Sequence, residues 1–132
     1  MKLLLDTNIF LEIILDQERA SESKNLLVRT DQHNFYLSAY SLHSIGLLLF
    51  RRNQHQAFQE FVSDVILDGG VGVLSLASYE IGDVVQAAQK FNLDFDDAYQ
   101  YALAVNAKAD LVSFDKDFDR TDLICKVPSD VH

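Results

Sequence analysis

Leu3-Leu4-Leu5-Asp6-Thr7-Asn8 is the stretch on which the reading of this chain turns. Three consecutive leucines form a continuous apolar run, which fits a strand covered on both faces rather than one with a wet side. The run ends abruptly in a carboxylate. Ile9, Phe10, Ile13 and Ile14 then recur at helical spacing through about Leu15. Strand, acid, helix is the opening of a parallel α/β sheet, and an acid at the carboxyl end of such a strand stands where these sheets place their ligands.

The same grammar returns further along. Phe35-Tyr36-Leu37 reads as a second strand, with Ser38 or Ser41 capping a helix that carries Leu42, Ile45, Leu48 and Leu49. A helix from Ala20 to Val28 lies between the first two strands. Gln56 to Leu67 forms another amphipathic helix, with Phe58, Phe61, Val62, Val65 and Ile66 inward, and Gly69-Gly70 stops it. Val71-Gly72-Val73-Leu74 is the third strand. Ser78 is placed to cap a helix from Tyr79 to Lys90, and Asp94 to cap one running to about Asn106, with Asp97 at the capping-box position. Leu111-Val112-Ser113 is the fourth strand and Leu123-Ile124-Cys125 an edge strand. Strands alternating with helices predict an α/β fold, a three-layer α/β/α sandwich around a mostly parallel twisted sheet.

Composition sets the limits. The 132 residues suffice for a single domain, 1–132, and 48% apolar with 23% charged residues describes a folded chain. The lone Cys125 excludes an internal disulfide and a thiolate zinc cluster, which fits a reducing cytoplasm. Asp6 cuts the first apolar run too early for a signal peptide, and no run approaches the ~20 apolar residues that span a bilayer. A net charge of −9 argues against a broad basic nucleic-acid surface. The excess is local: residues 94–132 hold nine Asp against Lys108, Lys116, Arg120 and Lys126, a net of −5.

Asp6, Asp94-Phe95-Asp96-Asp97 and the Asp115, Asp117 and Asp119 loop are the acidic segments expected to converge. Carboxylates brought together raise one another's pKa, and a hard divalent ion such as Mg²⁺ or Mn²⁺ relieves that conflict through oxygen ligands. Asp6, Asp97 and Asp115 are the expected ligands, with Asp117 next. The plainer readings are that Asp6 and Asp97 only cap helices and that the loop acids are solvated. Asn8 and Ser113 are placed to orient Asp6. Phe118 is expected to pack back and fix the acidic loop. Arg51, Arg52, Lys116 and Arg120 are candidate phosphate contacts, or plain surface charges.

Leu4-Leu5-Asp6-Thr7-Asn8, Asp97-Ala98 followed by Ala102, and Leu111-Val112-Ser113-Phe114-Asp115-Lys116-Asp117-Phe118 together resemble, in order, the motifs of the PIN domain, in particular the small VapC-type toxin ribonucleases. The resemblance spans nearly the whole chain. It implies an acidic pocket holding Mg²⁺ or Mn²⁺, endonucleolytic hydrolysis of RNA, a cognate antitoxin and a homodimer. One departure matters: the glutamate usual on the helix after the second strand is replaced by Ser44, with His43 beside it. His43 reads as a helix-surface residue or as a substitute ligand, and Glu12 is a second substitute. Two alternatives follow from the sequence. One is a degenerate PIN-like module that binds RNA or protein without cutting. The other is a haloacid-dehalogenase-like phosphatase with Asp6 as nucleophile, which would want an acid where Asn8 stands.

Overall fold

The computed structural model describes residues 1–132. Leu3, Leu4 and Leu5 are wholly buried, and they lie in β1 (Lys2–Leu5), the central strand. It is flanked by β2 (Asn34–Ser38) and β4 (Asp110–Val112), with β3 (Gly72–Leu74) outside β2 and β5 (Cys125–Lys126) outside β4. All four pairings are parallel, so the sheet is wholly rather than mostly parallel.

Strand alternation divides the core. Leu3, Leu5, Phe35, Leu37 and Val112 face one side, against α1 (Thr7–Ile14), α2 (Ala20–Leu27), α3 (Ala39–Arg51) and α4 (His55–Phe61). Leu4 and Leu111 face the other, against Leu103, Ala104 and Ala109 in and just after α6 (Phe95–Ala107). Outside α6 lies α5 (Ile81–Phe91), joined to it through Val84, Ala87, Ala98 and Ala102. Small side chains on α6 let the two helices approach each other and the sheet closely. The expected three-layer α/β/α sandwich is present, and no helix is long and apolar enough to cross a membrane.

Three local expectations are corrected. The helix read from Gln56 to Leu67 is α-helical only to Phe61; Val62–Leu67 is a π-helix, with the Asp68 amide donating to Ser63 at 2.9 Å. Ser78 does not cap α5. Residues Ser78–Glu80 form a 3₁₀ turn, and the Glu80 carboxylate accepts from the Ala77 amide at 2.7 Å. The edge strand falls at Cys125–Lys126 instead of Leu123–Cys125.

The strand order β3-β2-β1-β4-β5 reverses between β1 and β4. At that point a parallel sheet opens a crevice beyond its carboxyl ends. Asp6 and Ser113 follow β1 and β4 directly and extend the ladder: the Asp6 amide donates to Val112 and the Ser113 amide to Lys126, each at 2.9 Å. The loop after Ser113 is anchored by Phe118, wholly buried among Leu4, Leu103 and Leu111 within a 3₁₀ turn, Lys116–Arg120. Phe118→Ala should therefore lower stability in urea by about 3–5 kcal/mol; a loss under about 1 kcal/mol would show that the loop is held by something else.

Candidate metal centre at the sheet's switch point

Asp6 is set by its neighbours on all sides. It is the N-cap of α1, its Oδ1 accepting from the Thr7 amide at 2.8 Å. Oδ1 also accepts from Gln100 Nε2 at 2.9 Å, and Oδ2 from Ser113 Oγ at 2.7 Å and, more loosely, from Asn8 Nδ2 at 3.4 Å. Capping and site placement thus coincide in one carboxylate. Asn8 and Ser113 sit where the sequence placed them. Asn8 also donates to Ser113 Oγ at 3.1 Å and accepts from the Phe114 amide at 3.2 Å, which ties α1 to the loop after β4.

Asp97 occupies the first turn of α6 and is buried, while Asp96 beside it is exposed. Asp94 stands at the N-cap position, but its side chain makes no capping bond, so the expected capping box is not formed. Asp115 is half-buried, and its carboxylate accepts from the Asp117 amide at 2.8 Å. Asp97, Asp115 and Asp117 bring carboxylate oxygens within 4.8 Å of one another. Asp6, Asp96, Asp97 and Asp115 together line one cleft of about 230 Å³ with Thr7, Asn8, Leu11, Tyr40, Ser44 and Gln100. The expected convergence of three separate acidic segments is present.

The electrostatics of this cleft are unresolved by the protein alone. Two carboxylates at that spacing repel by about 3 kcal/mol at an effective dielectric of ~20. A helix N-terminus returns only ~0.3–1 kcal/mol. Repulsion wins. Burial first, and then the charges of Asp115, Asp96, Asp6 and Asp117, push the Asp97 carboxyl up to about 7. Burial likewise raises Asp6, against the hydrogen bonds from Ser113, Gln100 and Thr7. The donor set is all oxygen and mostly anionic, which fits a hard divalent cation. Cys125 adds no thiolate, because burial and then the nearby acids push its thiol up to about 12.

Other expected site residues are distributed less favourably. Ser44 lines the cleft, but exposed His43 lies on another face of α3, beside Leu42, Gly46, Leu47, Phe50 and Phe58. Glu12 does not replace the missing acid. Its carboxylate accepts from the Arg19 amide at 2.8 Å, at the far end of α1. Arg51 and Arg52 are exposed at the C-terminus of α3 and do not line the cleft. Lys116 is exposed between the two loop acids. Arg120 pairs with Asp117 at 3.2 Å and donates to the Asn92 carbonyl at 2.7 Å, so its guanidinium is engaged by the loop and by the end of α5.

Sequence reasoning missed Gln100 and the site contacts of Thr7, Ser38 and Ser41, although Ser38 caps α3 as expected. Gln100 Nε2 donates to Ser41 Oγ at 2.7 Å as well as to Asp6, Thr7 Oγ1 donates to Ser41 Oγ at 2.8 Å, and Ser38 Oγ lies 3.0 Å from Ser41 Oγ. A glutamine three residues after Asp97, among alanines and tyrosines, was the available signal.

A family model described as the PIN domain matches residues 3–124. No curated protein matches the chain in sequence. Among solved structures, the chain is similar to VapBC2 from Rickettsia felis bound to a DNA fragment from their promoter (TM-score 0.79, 15% identity, covering 96% of this chain and 98% of that one). It is also similar to VapC20 from Mycobacterium tuberculosis, a Sarcin-Ricin loop cleaving toxin (TM-score 0.75, 19% identity, 92% and 96% covered). A toxin-antitoxin complex from Klebsiella pneumoniae aligns with TM-score 0.73 at 20% identity, over 96% and 97% of the two chains. At these identities the likeness establishes the fold.

The raised carboxyl of Asp97 gives a stability signature. A carboxyl whose folded pKa exceeds its unfolded value of about 4 binds its proton more tightly in the folded chain. That contribution is complete below about pH 4 and is lost as pH rises through about 7. In chelator, Tm should fall across this window, and Asp97→Asn should flatten the fall and raise Tm at pH 8 by roughly 5 °C. An unaltered pH profile in Asp97→Asn would contradict the electrostatic reading.

Proposed function

This chain belongs to the PIN domain family, and on that premise we propose that it is a metal-dependent endoribonuclease, the toxin of a toxin-antitoxin pair. The observation that carries the proposal is the meeting of Asp6, Asp97 and Asp115 in one cleft at the switch point of the sheet.

In this reading Asp97, Asp115 and Asp117, whose oxygens come within 4.8 Å of one another, would hold Mg²⁺ or Mn²⁺ together with Asp6 of the same cleft. The ion, when bound, supplies an activated water and neutralises charge on the phosphodiester. Ser113 and Asn8 hold the Asp6 carboxylate in one orientation, which spares the site the entropy of collecting its ligands. Asp97 is a ligand that releases its proton near neutrality, so the empty cleft is held less negative than its formal charge. Lys116, exposed beside Asp115, is the free cation best placed for a substrate phosphate. Its contribution would be salt-sensitive and indifferent to sequence.

A partner follows from the same electrostatics. An acidic cleft accepts an arginine through paired charge-assisted hydrogen bonds, and an antitoxin inserting such a side chain would block the cation site. Structural relatives in toxin-antitoxin complexes support that partner. Exposed Leu47 and Phe50 on α3 support a homodimer as well. The single, half-buried thiol suits a cytoplasmic protein.

Ser44 favours a second reading. A neutral hydroxyl lines the cleft where such nucleases usually carry a carboxylate, as expected of a module that binds without cutting. Covalent phosphatase chemistry at Asp6 is not favoured, because Asn8 stands where that chemistry would want a second acid.

Incubation with mixed structured and unstructured RNAs separates the two readings. Cleavage should require Mn²⁺ or Mg²⁺, cease in chelator, and fall about a hundredfold in Asp6→Asn, a loss of roughly 2–3 kcal/mol of transition-state stabilisation. Ser44→Glu should speed cleavage by adding the missing ligand. RNA binding with no metal-dependent cleavage in either protein would establish the binding module instead.

A further inference from the structure

Gln100 is 1% exposed, carries no charge and has no place among the expected ligands, yet it bonds to side chains from two other elements of the site. Both amide hydrogens are used: Nε2 donates to Asp6 Oδ1 at 2.9 Å and to Ser41 Oγ at 2.7 Å. The orientation of the amide follows from charge, since only its N–H side can face a carboxylate. Its carbonyl, Oε1, is left fully buried with no protein donor. Leaving such an acceptor unpaired is a desolvation penalty that the two bonds of the amide nitrogen must offset.

The connections it makes are between elements. Asp6 ends β1, Ser41 lies in the first turn of α3, and Gln100 is on α6. Residues three apart share a helix face, so Gln100 and Asp97 project from α6 toward the same cleft, which both line. A hydrogen bond from Gln100 to Asp6 therefore fixes where the helix carrying Asp97 stands relative to the strand carrying Asp6. Ser41 extends the brace, one turn before Ser44 and bonded to Thr7 at 2.8 Å.

We propose that Gln100 is a positioning residue of this site. Its amide pins β1 and α3 to α6, setting the separation of Asp6 and Asp97 in advance. Its carbonyl is closed off from solvent, so the amide is held in this one orientation by the two bonds its nitrogen makes. The brace rests on the metal-site reading above and adds to it a neutral residue on which cation affinity depends.

The test uses the full chain, with Mn²⁺ binding followed by the electron paramagnetic resonance of free Mn²⁺, and RNA cleavage measured in parallel. Gln100→Leu should keep its circular dichroism and bind Mn²⁺ at least about tenfold more weakly, the scale on which groups behind metal ligands act. In the unaltered protein the Gln100 side-chain amide should give slowly exchanging proton resonances that shift on adding Mg²⁺. That measurement stands even where Gln100→Leu does not fold. A folded Gln100→Leu that binds Mn²⁺ within twofold of the parent, or an amide that exchanges freely and ignores Mg²⁺, overturns the proposal. A parent that binds Mn²⁺ but cleaves no RNA ends the nuclease reading alone, and the brace is then judged on affinity. A parent that binds no Mn²⁺ ends both.

Discussion

Mutual repulsion among carboxylates at the end of one parallel sheet is the constraint from which the rest of this structure follows. Five parallel strands need both faces covered, and their helices leave only the carboxyl edge between β1 and β4 open. Asp6 and Asp115 reach that opening from strand ends and Asp97 from a helix start. Convergence is thus imposed by topology and opposed by charge. The chain answers differently at each acid. Asp6 is buried and given four donors; Asp97 has a helix N-terminus and, nearer neutral pH, a proton; Asp117 has Arg120. None of these removes the conflict completely, which a divalent cation would.

That unequal treatment separates what holds the fold from what waits for a ligand. Around Asp6 the hydrogen bonds run to Thr7, Ser113, Gln100 and Asn8 and are short enough to matter without any ion. Around Asp97 no side-chain donor compensates, and its carboxyl responds chiefly to burial and to its acidic neighbours. One side of the cleft is therefore pre-formed and the other is poised. Phe118 belongs to the pre-formed part, because an apolar anchor keeps the acids of the loop at hand when repulsion would push the loop away.

How much of this could be read beforehand follows from the range of each interaction. Leu3-Leu4-Leu5 announced a doubly covered strand and Asp6 its end, because burial on both faces erases the polar alternation of a half-wet strand. Asp97 and Asp115 were legible for a related reason, an acid directly bounding an apolar segment. Glu12 misled because helical spacing predicts which residues share a face but not where the face points; α1 carries it away from the cleft to the Arg19 amide. Gln100 was passed over for the opposite reason. A lone polar residue in an amphipathic helix reads as solvated, and only the packing of α6 against β1 and α3 buries it. The π-helix at Val62–Leu67 had no local signal either, since its apolar positions also satisfy an α-helix.

The replacement at position 44 gains its meaning from the same long-range packing. An acid there would bring a further negative charge to a cleft in which Asp97 is already raised to about 7. With Ser44 the formal charge is lower, and the polar contacts of α3 pass through hydroxyls instead: Ser38 caps the helix, Ser41 receives Gln100 and Thr7, and Ser44 opens on the cleft. A neutral network holds its geometry without a cation, whereas an extra carboxylate would need one to be held at all. Serine at position 44 therefore leaves the cleft one negative charge short of what a carboxylate there would give. It is also consistent with the brace residing on α6, where a neutral amide can face a carboxylate that another acid could only repel.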